Sequence, residues 1–87
     1  MSELQESFDR AAEEVKQLPE RPGNEDLLKL YSFFKQATKG DVSGTVPGIM
    51  EFAGRAKYQA WESVKGSSRE DAMQSYVNLV ENLKAGK

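Results

Sequence analysis

The chain has 87 residues, 38% hydrophobic and 30% charged, with a formal net charge of −2 and neither cysteine nor histidine. This length suits one domain, spanning 1–87, with a modest core; the composition is too apolar for a disordered chain, and no run approaches the roughly 20 apolar residues of a membrane span. Disulfides, thiolate nucleophiles and zinc–thiolate sites are excluded, and so are imidazole acid–base chemistry and the commonest metal ligand.

Ser2 opens the first predicted helix, with Gln5 at capping-box spacing and Leu4, Phe8, Ala11, Val15 and Leu18 at helical intervals. Its opening, MSELQESFDR, is acidic and amphipathic, unlike a secretory signal, so a cytoplasmic protein is expected. Pro19 stops the helix, and PERPGN (19–24) reads as a turn. Asn24 is placed to cap a second helix whose acidic first turn, Glu25 and Asp26, suits the positive end of the helix dipole. That helix carries Leu27, Leu30, Phe34 and Ala37 as its buried stripe and ends near Gly40. The next stretch, GDVSGTVPGIME (40–51), has three glycines, a proline and no periodicity, and reads as an ordered, irregular crossover.

The third helix, FAGRAKYQAWESVK (52–65), is short, with Gly66 as its C-terminal cap. Ser67 with Glu70 repeats the capping-box spacing and starts the fourth, where Ala72, Met73, Tyr76, Val77, Leu79, Val80 and Leu83 form one broad apolar face. No strand pattern competes. The expectation is an all-α, four-helix bundle with one long crossover loop at about residues 40–51.

Charge is unevenly spread. Residues 1–28 hold three basic and eight acidic side chains, residues 29–65 hold six and three, and residues 66–87 hold three and three. The middle is therefore the place for an anionic ligand, although it is not basic enough for duplex nucleic acid. On the helical wheel Tyr31 and Lys35 stack at the edge of the second helix's stripe. Lys57 falls inside the third helix's arc of Ala53, Ala56, Ala60, Trp61 and Val64, and Tyr76 stands at the centre of the fourth helix's apolar face. Taken singly, these are a border tyrosine, a snorkelling lysine and a satisfied core tyrosine, with Trp61 a core residue. Together, two lysines and two tyrosines at face borders describe a site for a phosphate-bearing ligand with a flat ring. No glycine-rich phosphate loop, dinucleotide fingerprint or calcium loop is present, and no activated nucleophile or acid–base pair stands out, so binding without chemistry is the simpler reading.

The blocks FDRAAEEVKQL, LYSFFKQATKGD, Pro47-Gly48, GRAKYQAW and KGSSREDAMQSYV, in this order over nearly the whole chain, resemble the acyl-CoA-binding protein family. The resemblance implies an up-down-down-up bundle that binds medium- to long-chain acyl-CoA thioesters non-covalently, shields the acyl chain and carries the ester between enzymes. No cofactor, metal, nucleic acid or membrane insertion is implied, contacts with acyl-CoA-using enzymes would be transient, and a monomer is expected. It also implies that Tyr31, Lys35 and Lys57 grip the adenine and 3′-phosphate. Tyr76 would complete the polar site, Phe34 stands at the motif's second aromatic, and Ala11, Ala12 and Lys16 match groove-lining positions of the first helix. The chain departs from the pattern at Phe34, where tyrosine is usual, at Tyr58 for tryptophan, Arg55 for lysine, Ala53 for a frequent lysine, and Val46 for a basic residue. The rival reading is a helical interaction module docking a partner through the second-helix face and the Tyr58/Trp61 region. A thioesterase comes third, for want of histidine and cysteine.

Overall fold

The computed structural model describes residues 2–44, 48 and 51–86. Helix α1 covers Glu3–Glu14, α2 Asn24–Lys39, α3 Phe52–Glu62 and α4 Arg69–Lys84, and no strand occurs among the described residues. Val46 and Pro47 lie outside the described residues.

Local chemistry sets each boundary. Ser2 caps α1 by accepting from the Gln5 backbone N–H at 3.0 Å, but the Gln5 side chain turns forward to Asp9, so only half of the expected capping box forms. The last turn tightens to a 3-10 turn over Val15–Gln17, and Leu18 becomes extended (φ −63°, ψ 138°) because Pro19 disfavours the helical conformation before it. Helix α2 begins one residue earlier than expected: extended Gly23 is its cap, and Asn24 is already helical. It ends at Gly40, whose φ of +86° only glycine adopts at little cost. Helix α3 stops at Glu62 rather than at residue 65. The cap of α4 is Ser68, which accepts from the Asp71 N–H at 3.0 Å, while the Ser67 carbonyl is occupied by the Gln36 side chain.

Helix directions follow from what their ends touch. The starts of α1 and α4 share a groove lined by Leu4, Gln5, Arg69 and Met73, and their far ends are joined by Glu14 and Lys84 at 3.0 Å, so the two run parallel. Thr38, near the end of α2, lies at that shared start, and Gly23 and Asp26 lie beside Leu83 and Lys84, so α2 runs the opposite way. Helix α3 follows α2: Ala53 and Lys57 lie beside Asn24 and Tyr31, and Trp61 reaches Gly40. The bundle is up-down-down-up.

Its core is Phe8 and Ala11 from α1, Leu30 and Ala37 from α2, and Ala72, Tyr76 and Val80 from α4. Helix α3 buries no residue fully and packs on α2. Because α2 packs against both α3 and α4, it buries more than one stripe. Ser32 and Gln36 are buried, and Ser32 returns its hydroxyl to the Lys29 carbonyl at 2.8 Å.

Gln36 anchors a polar clip. Its Nε2 donates to Asp41 Oδ1 at 2.8 Å and to the Ser67 carbonyl at 2.9 Å, and the same Asp41 oxygen accepts from the Gly66 N–H at 2.9 Å. The end of α2 is thereby fastened to the turn before α4. The Gly66 amide first, and then the Gln36 amide, hold the Asp41 carboxyl below its usual pKa. A depressed pKa contributes stability that is complete above the unfolded carboxylate value and lost as pH falls through the native one. Asp41→Asn should therefore lower the melting temperature at pH 7, and the gap to wild type should close as the melts are taken to more acidic pH. A gap unchanged down to pH 2 would show that the carboxylate charge contributes nothing.

Candidate functional site

Two parallel helices each present an aromatic and a lysine four residues apart: Tyr31 and Lys35 on α2, Lys57 and Trp61 on α3. Residues at this spacing lie on one face, and the two pairs interlock in reverse order. The Lys57 Nζ lies 5.6 Å from the Tyr31 ring centroid, while the Lys35 Nζ lies 5.7 Å from the Tyr31 ring and 5.7 Å from the Trp61 ring. Both ammonium groups thus lie at cation–π range of the same tyrosine ring. Neither forms an ion pair among the described residues, in contrast to Lys16 with Glu13 and Lys84 with Glu14 and Glu81. Two cations held together without a carboxylate form a place of positive potential inside an acidic protein.

Lys57 does not face a core but is exposed. Since α3 packs on α2, its flank remains open, and the arc holding Lys57 is the wall of a groove. Small side chains make that wall low: Ala53 and Ala56 with Leu27, Leu28, Asn24 and Arg21 enclose about 450 Å³ beside Tyr31 and Lys57. Trp61 is half-buried rather than core, and its Nε1 donates to the Gly40 carbonyl at 2.8 Å. Trp61 was not among the ligand-binding residues expected from the sequence. The signal was present in its spacing from Lys57, which mirrors Tyr31 and Lys35.

A second groove, of about 350 Å³, opens on the other side of Tyr31 and Leu27, lined by Val15, Lys16, Pro22, Leu30, Phe34 and Tyr76. Its floor is aromatic. Phe8 and Phe34 stack at 5.6 Å, and Tyr76 meets Phe8 edge-on at 5.1 Å and Phe34 at 5.9 Å. Phe34 is 39% exposed, not buried as its place on the stripe suggested, because it lies at the groove edge as part of this cluster. Burial raises the Tyr76 pKa, so its phenol stays protonated and able to donate at neutral pH. Of the first-helix positions, Lys16 lines this groove, Ala12 is half-buried against the core, and Ala11 is enclosed within it. Among the described residues no helix is long and apolar enough to cross a membrane, and no acidic cluster has the form of a metal site.

Residues 5–80 match the sequence family described as Acyl CoA binding protein. The chain is 51% identical over 80 residues to acyl-CoA-binding domain-containing protein 3 of Oryza sativa subsp. japonica, covering 92% of this chain and 52% of that protein, so it spans about half the length of that relative. It is 45% identical over 82 residues to the acyl-CoA-binding protein homolog of Drosophila melanogaster, covering 94% of this chain and 95% of that one. Among solved structures, the crystal structure of Oryza sativa acyl-CoA-binding protein 2 superposes with a TM-score of 0.91 at 44% identity, covering 95% of this chain and 90% of that chain.

The aromatic cluster makes the Phe34 position testable by stability. Phe34→Ala should cost about 1–2 kcal/mol in urea unfolding, from lost area and ring contacts. Phe34→Tyr should stay within about 0.5 kcal/mol, since a hydroxyl added at the exposed edge displaces nothing. A large cost for the tyrosine variant would place the ring edge in a closed core.

Proposed function

The chain belongs to the acyl-CoA-binding protein family, and on that footing we propose that it binds long-chain fatty acyl-CoA thioesters non-covalently and carries them through the cytoplasm as a monomer, acting as a single acyl-CoA-binding unit. One observation carries the reading: two ammonium groups with no ion pair among the described residues converge on Tyr31 between an aliphatic groove and an aromatic one.

Each part of such a ligand has a counterpart. Lys35 and Lys57 supply charge for the 3′-phosphate, where hydrogen bonds to an ionised group are stronger than neutral ones. The aromatic groove of Tyr31, Phe34 and Tyr76 suits the flat adenine, with the protonated Tyr76 phenol and Lys16 at its rim as polar partners. Ala11, within the core cluster that carries Tyr76, and Ala12, packed against it, contribute through that cluster rather than by lining the groove. The aliphatic groove of Leu27, Leu28, Ala53 and Ala56 suits the acyl chain. Phe34 retains a ring for stacking without a hydroxyl, and Ala53 widens the aliphatic groove where a lysine would add charge.

This division of labour gives the head group orientation and the chain much of the binding free energy. At about 0.8 kcal/mol per buried methylene, each added pair of carbons strengthens binding roughly tenfold until the groove is full. Such binding leaves the thioester intact, and the ligand is passed by transient contact to enzymes that use it.

Calorimetric titration with palmitoyl-CoA, with CoA and palmitate as separate controls, tests the reading. One-to-one binding of the ester is expected, with either half far weaker. Lys35→Ala and Lys57→Ala should each weaken the ester about tenfold, since a charge-assisted contact at a partly open site is worth roughly 1 kcal/mol or slightly more. Palmitate binding as tightly as its CoA ester, or no heat from any of the three with folded protein, would sink it in favour of a docking module.

A further inference from the structure

We infer that Trp61 is a positioning residue of the anion site: its indole face seats the Lys35 ammonium, and its bond to Gly40 fixes that face to the end of α2. This rests on the reading of Lys35 as a phosphate-gripping residue and extends it to a side chain with no phosphate-binding atom directed at the ligand.

The geometry separates the two lysines. Lys57 is exposed and has one aromatic neighbour, Tyr31. Lys35 is half-buried and has two, with its Nζ at 5.7 Å from each ring. A lysine stem is flexible, and a free one disperses its charge over many rotamers, all but a few of which must be given up when an anion binds. Two aromatic faces narrow that set beforehand, and tryptophan offers the strongest cation–π attraction of the aromatic side chains.

The indole itself is held. Its Nε1–H meets the Gly40 carbonyl at 2.8 Å, and Gly40 closes α2 by donating to Gln36, the residue whose side chain ties Asp41 and Ser67 together. The face that seats Lys35 is thus referenced to the same helix from which Lys35 projects. A tryptophan needed only to pack α3 against α2 would require neither the ring-to-ammonium approach nor this bond.

The two roles differ in what they do to phosphate recognition. In the wild type a CoA ester should bind more tightly than its dephospho counterpart lacking the 3′-phosphate. Trp61→Leu should cut that ratio about two- to fivefold, the span of an exposed cation–π contact, while leaving the dephospho ester within about twofold. Trp61→Phe, which keeps a ring but loses the bond to Gly40, should fall between. Equal losses for both esters, with the ratio preserved, would overturn the inference and leave Trp61 as packing alone. A wild type that binds neither ester, or binds both equally, would instead remove the phosphate-site reading beneath it. The chain has one tryptophan, so a second test needs no variant: saturating phosphorylated and dephospho esters should shift the wild-type indole emission differently, because the phosphate draws the ammonium relative to the ring. Identical shifts would also overturn the inference.

Discussion

The site depends on how α3 is held to α2. Helix α3 buries no side chain fully, so the hydrophobic effect alone does not fix its direction or height. The bond from Trp61 to the Gly40 carbonyl adds a directional tie at one end, and the small side chains Ala53 and Ala56 allow a shallow groove at the other. A slip of α3 by one residue would turn Lys57 by about 100° away from Tyr31. The positive φ of Gly40 is part of the same constraint, since the carbonyl that receives the indole belongs to the residue that ends α2. Fold and site meet at this corner, where Gln36, Asp41, Gly66 and Ser67 fasten the following helix as well.

An acidic chain can hold an anion because its charges are sorted. The eight acidic residues among the first 28 belong largely to α1 and the start of α2, while the six basic residues between positions 29 and 65 lie on or beside α2 and α3. Screening within about 8–10 Å at ordinary ionic strength separates such regions, so the net charge of −2 says little about the potential near Tyr31. Aromatic faces hold the ammonium groups in place of carboxylates. This distinction matters, because a carboxylate partner would neutralise the lysine that a phosphate must meet, whereas a ring orients it and leaves its charge available.

The four helices and most of their ends were legible in the sequence because caps, prolines and glycines act locally, while the crossover expected at about residues 40–51 lies partly outside the described residues. The small errors are instructive. The cap of α4 moved from Ser67 to Ser68 because the Ser67 carbonyl serves Gln36, thirty-one residues away in the chain, and no local pattern reports that. Phe34 was assigned to a buried stripe and proved to edge a groove, and the apolar arc that holds Lys57 proved to wall another. The Phe34 error assumes that an apolar arc has a helix opposite it, and here two arcs face open grooves instead. Tyr31, Lys35, Lys57 and Tyr76 were conspicuous because each violated a simple amphipathic pattern. Trp61 was not, since tryptophan on an apolar arc violates nothing; its meaning appears only when the second helix is laid alongside.

The most direct test of the account is a structure of the protein with a bound long-chain acyl-CoA. The account predicts the 3′-phosphate within hydrogen-bond reach of both Lys35 and Lys57, the adenine over the aromatic groove, and the acyl chain along Leu28, Ala53 and Ala56. A phosphate held elsewhere, such as beside Arg21 and Lys84 at the turn between α1 and α2, with Lys35 and Lys57 still resting unoccupied on Tyr31, would contradict it.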